Sequence, residues 1–156
     1  MKLTKERVIN LSFAVLLLLG VIILSLVAVK NFEPANAKST FQASQSPVLK
    51  NITAKEAFKL IEANKNNPDF MILDVRTPEE FSSGHLEDAV NINYYSINFQ
   101  NDLAKLDKTK TYLIYCRSGS RSGKSLNLMK QLGFIRVYNI SGGILQWEKE
   151  GYRITQ

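Results

Sequence analysis

Residues 111–121 read TYLIYCRSGSR, and this stretch decides how the sequence is interpreted. Its first half, Thr111 to Tyr115, is apolar and typical of a buried strand, whereas residues 122–132 have helical character. Cys116 therefore lies in a turn between a strand and a helix, where backbone N–H groups point inward and the helix dipole is positive. Arg117 and Arg121 flank it. All three effects stabilise a thiolate over a thiol, so the turn is predicted to hold anions around a reactive sulfur.

Strands and helices alternate on both sides of this turn. A capping box, Thr53-Ala54-Lys55-Glu56, begins a helix with apolar residues along one face. Short strands are predicted over residues 70–73, 89–92 and 137–140, and helices over residues 99–106 and 144–150. Alternation of this kind predicts an α/β domain with a mainly parallel central sheet and helices on both faces.

The turn resembles the active-site loop of the rhodanese sulfurtransferases, in which Cys-Arg-x-Gly-x-Arg follows a strand. Two further stretches resemble that family's signatures in order and spacing. One is LDVRTPEEF at residues 73–81, followed by Gly84-His85-Leu86 and by residues 89–92; the other is Ser141-Gly142-Gly143-Ile144, followed by Trp147 and Gly151. The resemblance covers residues 52–152 and implies a rhodanese-like domain over residues 48–156.

A sulfurtransferase takes a sulfane sulfur and holds it as a persulfide, so Cys116 is the candidate nucleophile. Backbone N–H groups of residues 117–122 can stabilise the negative terminal sulfur without a proton donor. The predicted donor is a small anion such as thiosulfate, and the predicted acceptor is a thiol or a cyanide-like nucleophile. The candidate substrate-binding residues are Arg117, Ser118, Gly119, Ser120, Arg121 and Ser122.

Asp74 and Arg76 follow a predicted strand, at the edge where open α/β sheets place their sites. The resemblance implies that these two residues support the loop. Each loop arginine also has an alternative role. Arg117 can point to solvent, and Arg121 can form a salt bridge with a structural carboxylate, for which Asp74 is the natural candidate.

Three other functions compete with a sulfurtransferase. Phosphatases and arsenate reductases of a related fold use Cys-x5-Arg, whereas here Arg121 is the fifth residue after Cys116 and Ser122 is the sixth. The shorter loop suits one sulfur better than a phosphate. A non-catalytic binding module is disfavoured because the cysteine and both arginines are present. A persulfide carrier that serves a partner protein stays open.

Composition excludes several further classes. The formal charge is +6, of which residues 1–37 contribute +2 and the other 119 residues +4, without a basic run, so nucleic-acid binding is not expected. Cys116 is the only cysteine and His85 the only histidine. The sequence therefore predicts no disulfide, no metal site and no cofactor.

The N-terminus carries an export signal. Residues 11–29 are uncharged and nearly all apolar, and as a helix they would span about 28 Å, close to the thickness of a bilayer core. Lys2, Lys5 and Arg7 precede them, which predicts a cytoplasmic N-terminus and an extracytoplasmic domain. Residues 1–37 are a transmembrane anchor or a signal peptide cleaved after Ala37, and residues 38–47 are a flexible tether. A lone cysteine outside the cytoplasm also predicts a thiol reductant as a partner.

Overall fold

A computed structural model describes residues 46–156, in which a five-stranded sheet is flanked by five helices. All pairings in the sheet are parallel, in the order β1-β5-β4-β2-β3. This confirms the predicted α/β architecture with a parallel sheet. The strands are β1 (Val48–Ile52), β2 (Phe70–Asp74), β3 (Ala89–Asn91), β4 (Thr111–Tyr115) and β5 (Arg136–Ile140); the helices are α1 (Ala54–Ala63), α2 (Pro78–Ser82), α3 (Phe99–Ala104), α4 (Ser120–Gln131) and α5 (Gly143–Lys149).

Each face of the sheet has its own hydrophobic core, because alternate strand residues point to opposite faces. On one face, Tyr112 and Ile114 of β4 pack with residues of α3 and α4. On the other face, Leu113 and Tyr115 pack with residues of α1 and α5. Cys116 directly follows β4 and belongs to the first core. Its sulfur therefore lies beneath the start of α4.

Two helices begin with a capping box. In the predicted box before α1, the Thr53 hydroxyl accepts from the Glu56 N–H at 3.2 Å, and the Glu56 carboxylate accepts from the Thr53 N–H at 2.8 Å. The second box, at Thr77 and Glu80, begins α2 with Pro78 in the first turn. Both boxes satisfy N–H groups that a helix start leaves without partners.

The predicted helix and strand boundaries differ from the observed ones by a few residues. Helix α4 begins at Ser120 rather than at Ser122, because Gly119, with φ of 88°, turns the chain directly into the helix. Helix α3 ends at Ala104, two residues early, and β5 begins at Arg136, one residue early. The early start of α4 places its first N–H groups close to Cys116.

The predicted anchor or signal peptide of residues 1–37 lies outside the described residues, as does most of the predicted tether. Within residues 46–156, no helix is long and apolar enough to cross a membrane.

Candidate active site

The cysteine loop, residues 116–122, lies at the carboxyl edge of the parallel sheet. Its sulfur is almost fully enclosed, since Cys116 is only 1% exposed. The Gly119 N–H donates to Sγ of Cys116 at 3.2 Å. The loop therefore curls around the thiol with its backbone N–H groups directed inward, as predicted from its place between β4 and α4.

Two opposing effects set the pKa of the Cys116 thiol. Burial raises this pKa, but the nearby Ser122 hydroxyl and the backbone N–H groups of Ser122, Ser118 and Gly119 lower it more. The net pKa lies below the ordinary value for a thiol. A buried thiol without such donors would have a raised pKa, so the loop donors favour the thiolate form of this cysteine.

The Ser122 hydroxyl is fully buried in the loop. It makes no hydrogen bond of normal geometry with any residue between 46 and 156, although it contributes to lowering the pKa of Cys116. A buried hydroxyl without a partner costs free energy, so such groups are uncommon in folded proteins. Its hydrogen is available to a negative charge carried by the sulfur of Cys116.

The first turn of α5 supports the loop from behind. The Ile144 N–H donates to the Cys116 carbonyl at 2.9 Å, and the Leu145 N–H donates to the Arg117 carbonyl at 3.1 Å. Gly143 makes this approach feasible, because a Cβ at this position would lie 2.7 Å from the Arg117 carbonyl carbon. With these carbonyls held on the outside by α5, the N–H groups of the loop face the sulfur.

Arg121 is held from two sides. Its guanidinium donates to both carboxylate oxygens of Glu80 on α2, at 2.6 and 2.7 Å. It also lies over the ring of Tyr95, 5.5 Å from the centroid. The hydrogen bond with Arg121 is the main cause that lowers the pKa of Glu80 to about 2. This arginine is therefore a fixed part of the wall of the loop.

The alternative role of Arg121, a salt bridge with a structural carboxylate, is observed, but its partner is Glu80 and not Asp74. The Asp74 carboxylate is buried under the end of β2 and is occupied by Arg76, whose Nη2 lies 2.6 Å from it. Residues two apart in an extended chain point to the same side, so Arg76 reaches Asp74 first. Arg76 also donates to the Gly84 carbonyl at 2.6 Å. The Asp74–Arg76 pair holds the chain after β2 in place, and Arg121 pairs with Glu80 instead.

Arg117 behaves differently from the other two arginines. It is exposed and makes no side-chain hydrogen bond or ion pair within residues 46–156. It borders a cavity of about 180 Å³ beside the loop, which Arg76, Glu80 and Leu145 also line. Ser118 and Ser120 are exposed as well, so their side chains face solvent while the Ser118 N–H acts on the thiol.

Three contributors to the site were missed in the sequence. Glu80 is the third residue after Thr77, and this second Thr-x-x-Glu pattern is a local signal that a helix begins there. No local signal connects Glu80 with Arg121, 41 residues later. Tyr95 belongs to no recognisable pattern, and Gly143 was noted only as part of the stretch at residues 141–144 that resembles the family.

Comparison with known proteins agrees with this geometry. The profile of the Rhodanese-like domain matches residues 53–150. The chain belongs to the rhodanese-like domain family. A sulfurtransferase of Allochromatium vinosum is 35% identical over 87 residues, which is 56% of this chain and 79% of that protein.

Solved rhodanese-like structures match the same region. A rhodanese-like domain protein from Staphylococcus aureus is 31% identical with a TM-score of 0.56, over 69% of this chain and 99% of that one. A rhodanese-related protein from Thermoplasma volcanium is 29% identical with a TM-score of 0.58, over 68% and 97%. Together with the relative named a sulfurtransferase, the family supports sulfurtransferase activity in general for this chain.

Proposed function

We propose that this rhodanese-like domain transfers a sulfane sulfur from an anionic donor such as thiosulfate to a thiophilic acceptor, through a persulfide on Cys116. The observation that carries the proposal is an enclosed thiol with a lowered pKa, surrounded by inward N–H groups. This environment stabilises a thiolate before the reaction and a terminal persulfide sulfur after it.

The first step is a displacement at sulfur. The Cys116 thiolate attacks the sulfane sulfur of thiosulfate, a new S–S bond forms, and the S–S bond of the donor breaks with both electrons leaving on sulfite. The enzyme then carries Cys–S–S⁻, and the total charge is conserved. The N–H groups of Ser118, Gly119 and Ser122, together with the Ser122 hydroxyl, are the donors that can meet the new terminal sulfur.

The second step returns the thiolate. Cyanide, or another thiophilic nucleophile, attacks the terminal sulfur, and the Cys116 thiolate leaves with the electron pair of the S–S bond. Because Cys116 is only 1% exposed, an acceptor reaches the projecting terminal sulfur more readily than the sulfur of Cys116 itself. Neither step requires a cofactor.

Phosphatase or arsenate reductase activity fits the site less well. Arg121 is the fifth residue after Cys116, and its guanidinium is engaged by Glu80 rather than free to surround a tetrahedral anion. The compact loop and the engaged arginine both favour a single sulfur atom as the transferred group.

A second candidate function is that of a persulfide carrier for a partner protein. Two large side chains that contact loop residues are exposed: Tyr95, which packs on Arg121, is 68% exposed, and Leu145, whose N–H donates to the Arg117 carbonyl, is 45% exposed. Exposed apolar groups beside a reactive sulfur favour a protein thiol as acceptor. A Leu145→Gln change would then slow discharge to a protein thiol and leave discharge to cyanide unchanged.

Steady-state kinetics test the proposed reaction. Thiocyanate formation from thiosulfate and cyanide should follow a ping-pong pattern and disappear in Cys116→Ser. Hydrolysis of p-nitrophenyl phosphate should not exceed that of Cys116→Ser. Cysteine-dependent phosphate release without any thiocyanate formation would contradict the proposal.

We also propose that the domain works outside the cytoplasmic membrane, because basic residues precede the apolar residues 11–29. In intact cells, with any outer membrane permeabilised, a small membrane-impermeant thiol reagent should label Cys116 but not Cys116→Ser. A thiol reductant on the same side would then keep the sulfur reduced. Labelling that occurs only after lysis, on folded and reactive protein, would place the domain in the cytoplasm.

A further inference from the structure

The charges around the cysteine loop are unevenly compensated. Three arginines lie at or beside the loop, and two of them are matched by one carboxylate each: Arg76 by Asp74 and Arg121 by Glu80. Among the described residues, Arg117 is the loop arginine without such a partner. A donor that approaches Cys116 therefore meets one uncompensated guanidinium rather than three.

Glu80 affects the site in two ways. Its carboxylate accepts from both Arg121 terminal nitrogens, so those donors are not directed at a ligand. It also lines the small cavity beside the loop that Arg117 and Arg76 border, where the exposed Glu148 is the other carboxylate. With a side chain only 29% exposed, the charge of Glu80 is screened less by solvent than a surface charge is.

We infer that Glu80 is a specificity-determining residue, which cancels Arg121 and thereby favours sulfur donors of low negative charge over dianionic ones. This inference rests on the proposed sulfurtransferase function and names the donor class for the same loop. Thiosulfate stays a possible donor, but persulfides of small uncharged thiols, which carry at most one negative charge, are favoured over it; R–S–SH is the form that reacts. The Cys116 thiolate attacks the terminal sulfur, a Cys116–S–S–H group forms, and R–S⁻ leaves with the electron pair.

Alkylation of Cys116 measures this effect without any sulfur transfer. Iodoacetate is an anion and iodoacetamide is neutral, and the same thiolate attacks the iodomethyl carbon of both and displaces iodide. The ratio of their rate constants therefore reports how strongly the loop attracts an anion. Glu80→Gln keeps an oxygen that can accept from the Thr77 N–H but removes the charge, so the iodoacetate to iodoacetamide ratio should rise by about three- to tenfold.

The other capping box supplies a matched control. Glu56 has the same position in the box before α1, and it contacts Thr53 rather than an arginine. Glu56→Gln removes one negative charge and weakens a cap in the same way, so any general effect should appear in both variants. We expect its iodoacetate to iodoacetamide ratio to stay within about twofold of the wild-type ratio.

Replacing Arg121 completes the test. Arg121→Gln leaves Glu80 as an uncompensated anion, so the alkylation ratio should fall. The double variant Glu80→Gln/Arg121→Gln removes the pair together, so its ratio should return close to the wild-type value. The double variant also leaves no lone charge, which keeps the comparison valid if a single variant folds poorly. An unchanged ratio in Glu80→Gln, or a double variant as low as Arg121→Gln, would overturn the inference.

Sulfur loading then connects the charge effect to donor choice. The rate of Cys116 persulfide formation from thiosulfate, divided by that from the persulfide of 2-mercaptoethanol, should rise in Glu80→Gln but not in Glu56→Gln. If the wild type accepts sulfur from neither donor while the alkylation ratio shifts as expected, the proposed function fails and the electrostatic role of Glu80 stands. If sulfur is accepted but the donor ratio is the same in all variants, the role of Glu80 in donor choice fails alone.

Discussion

The two arginines of the cysteine loop have the same side chain and different surroundings. Arg117 is exposed, and its carbonyl rests on the first turn of α5, whereas the guanidinium of Arg121 is held by Glu80 and Tyr95. The first arginine has an exposed charge on a backbone that α5 holds in place. The second has its charge fixed and compensated. This difference separates the part of the loop that can meet a donor from the part that maintains its shape.

The largest expected effect concerns the backbone beneath Arg117. In Gly143→Ala, the new Cβ would lie 2.7 Å from the Arg117 carbonyl oxygen, at a φ of 59°. We expect stability to fall by more than about 2 kcal/mol and sulfur loading by at least about tenfold. Urea denaturation and intact-mass spectrometry measure the two losses.

Gly133→Ala is the matched control for this change. Gly133 also has a positive φ, 85°, but nothing lies within 4 Å of its Cβ position. It should cost about 1 kcal/mol through backbone strain alone and leave sulfur loading intact. Equal losses in the two variants would show that the contact with the loop has no special importance.

The next largest effect is expected when the charge of Arg117 is removed. Arg117→Ala should slow loading from thiosulfate by about tenfold, since a charge-assisted contact with the donor is lost. Its free energy of unfolding should stay within about 0.5 kcal/mol of the wild-type value, because no contact of the side chain is broken. Lys59→Ala, an exposed cation of α1, controls for the change in net charge, and comparable slowing in that variant would remove the specific role of Arg117.

Replacing Arg121 should change stability more than Arg117→Ala does, because the side chain of Arg121 is paired. Arg121→Ala removes a partly buried bidentate pair, so we expect a loss of about 1 kcal/mol of stability. A double-mutant cycle with Glu80→Ala should give a coupling of about 0.5–1 kcal/mol. A coupling near zero in urea denaturation would mean that the Arg121–Glu80 pair does not stabilise the domain. Arg117 and Arg121 would then differ only in how exposed their side chains are.

The smallest effect is a pH dependence of stability. The folded-state pKa of Glu80 is about 2, below the ordinary 4.5, because the Arg121 guanidinium stabilises the carboxylate. A carboxyl with a depressed pKa contributes stability above its unfolded pKa, and this contribution is lost as pH falls from about 4.5 to about 2. Glu80→Gln should reduce this acid-induced loss in urea titrations by up to about 1 kcal/mol. An identical pH dependence in wild type and variant would contradict the ion pair.

Much of the fold was predictable from local patterns. The apolar run Thr111–Tyr115, the capping box at Thr53 and the alternation of strands and helices each depend on neighbouring residues, and all are observed. The position of Cys116 among inward N–H groups was predictable for the same reason, since it follows from a strand that turns into a helix.

The partners of the charged groups were not predictable in the same way. Asp74 is the last residue of β2 and Glu80 follows that strand, and no local pattern indicates which of them Arg121 contacts. The answer depends on Arg76, which occupies Asp74, and on the placement of α2 beside the start of α4. The contact of Gly143 with the Arg117 carbonyl likewise depends on the packing of α5 against the loop. Long-range geometry decides these features.

Isotope-resolved intact mass after brief exposure to thiosulfate tests the central claim most directly. With the label in the sulfane position, the protein should gain one labelled sulfur atom, lose it on addition of cyanide, and gain nothing as Cys116→Ser. With the label in the sulfonate position, the gained sulfur should be unlabelled. A full gain in Cys116→Ser, or transfer of the sulfonate sulfur, would contradict a persulfide on Cys116.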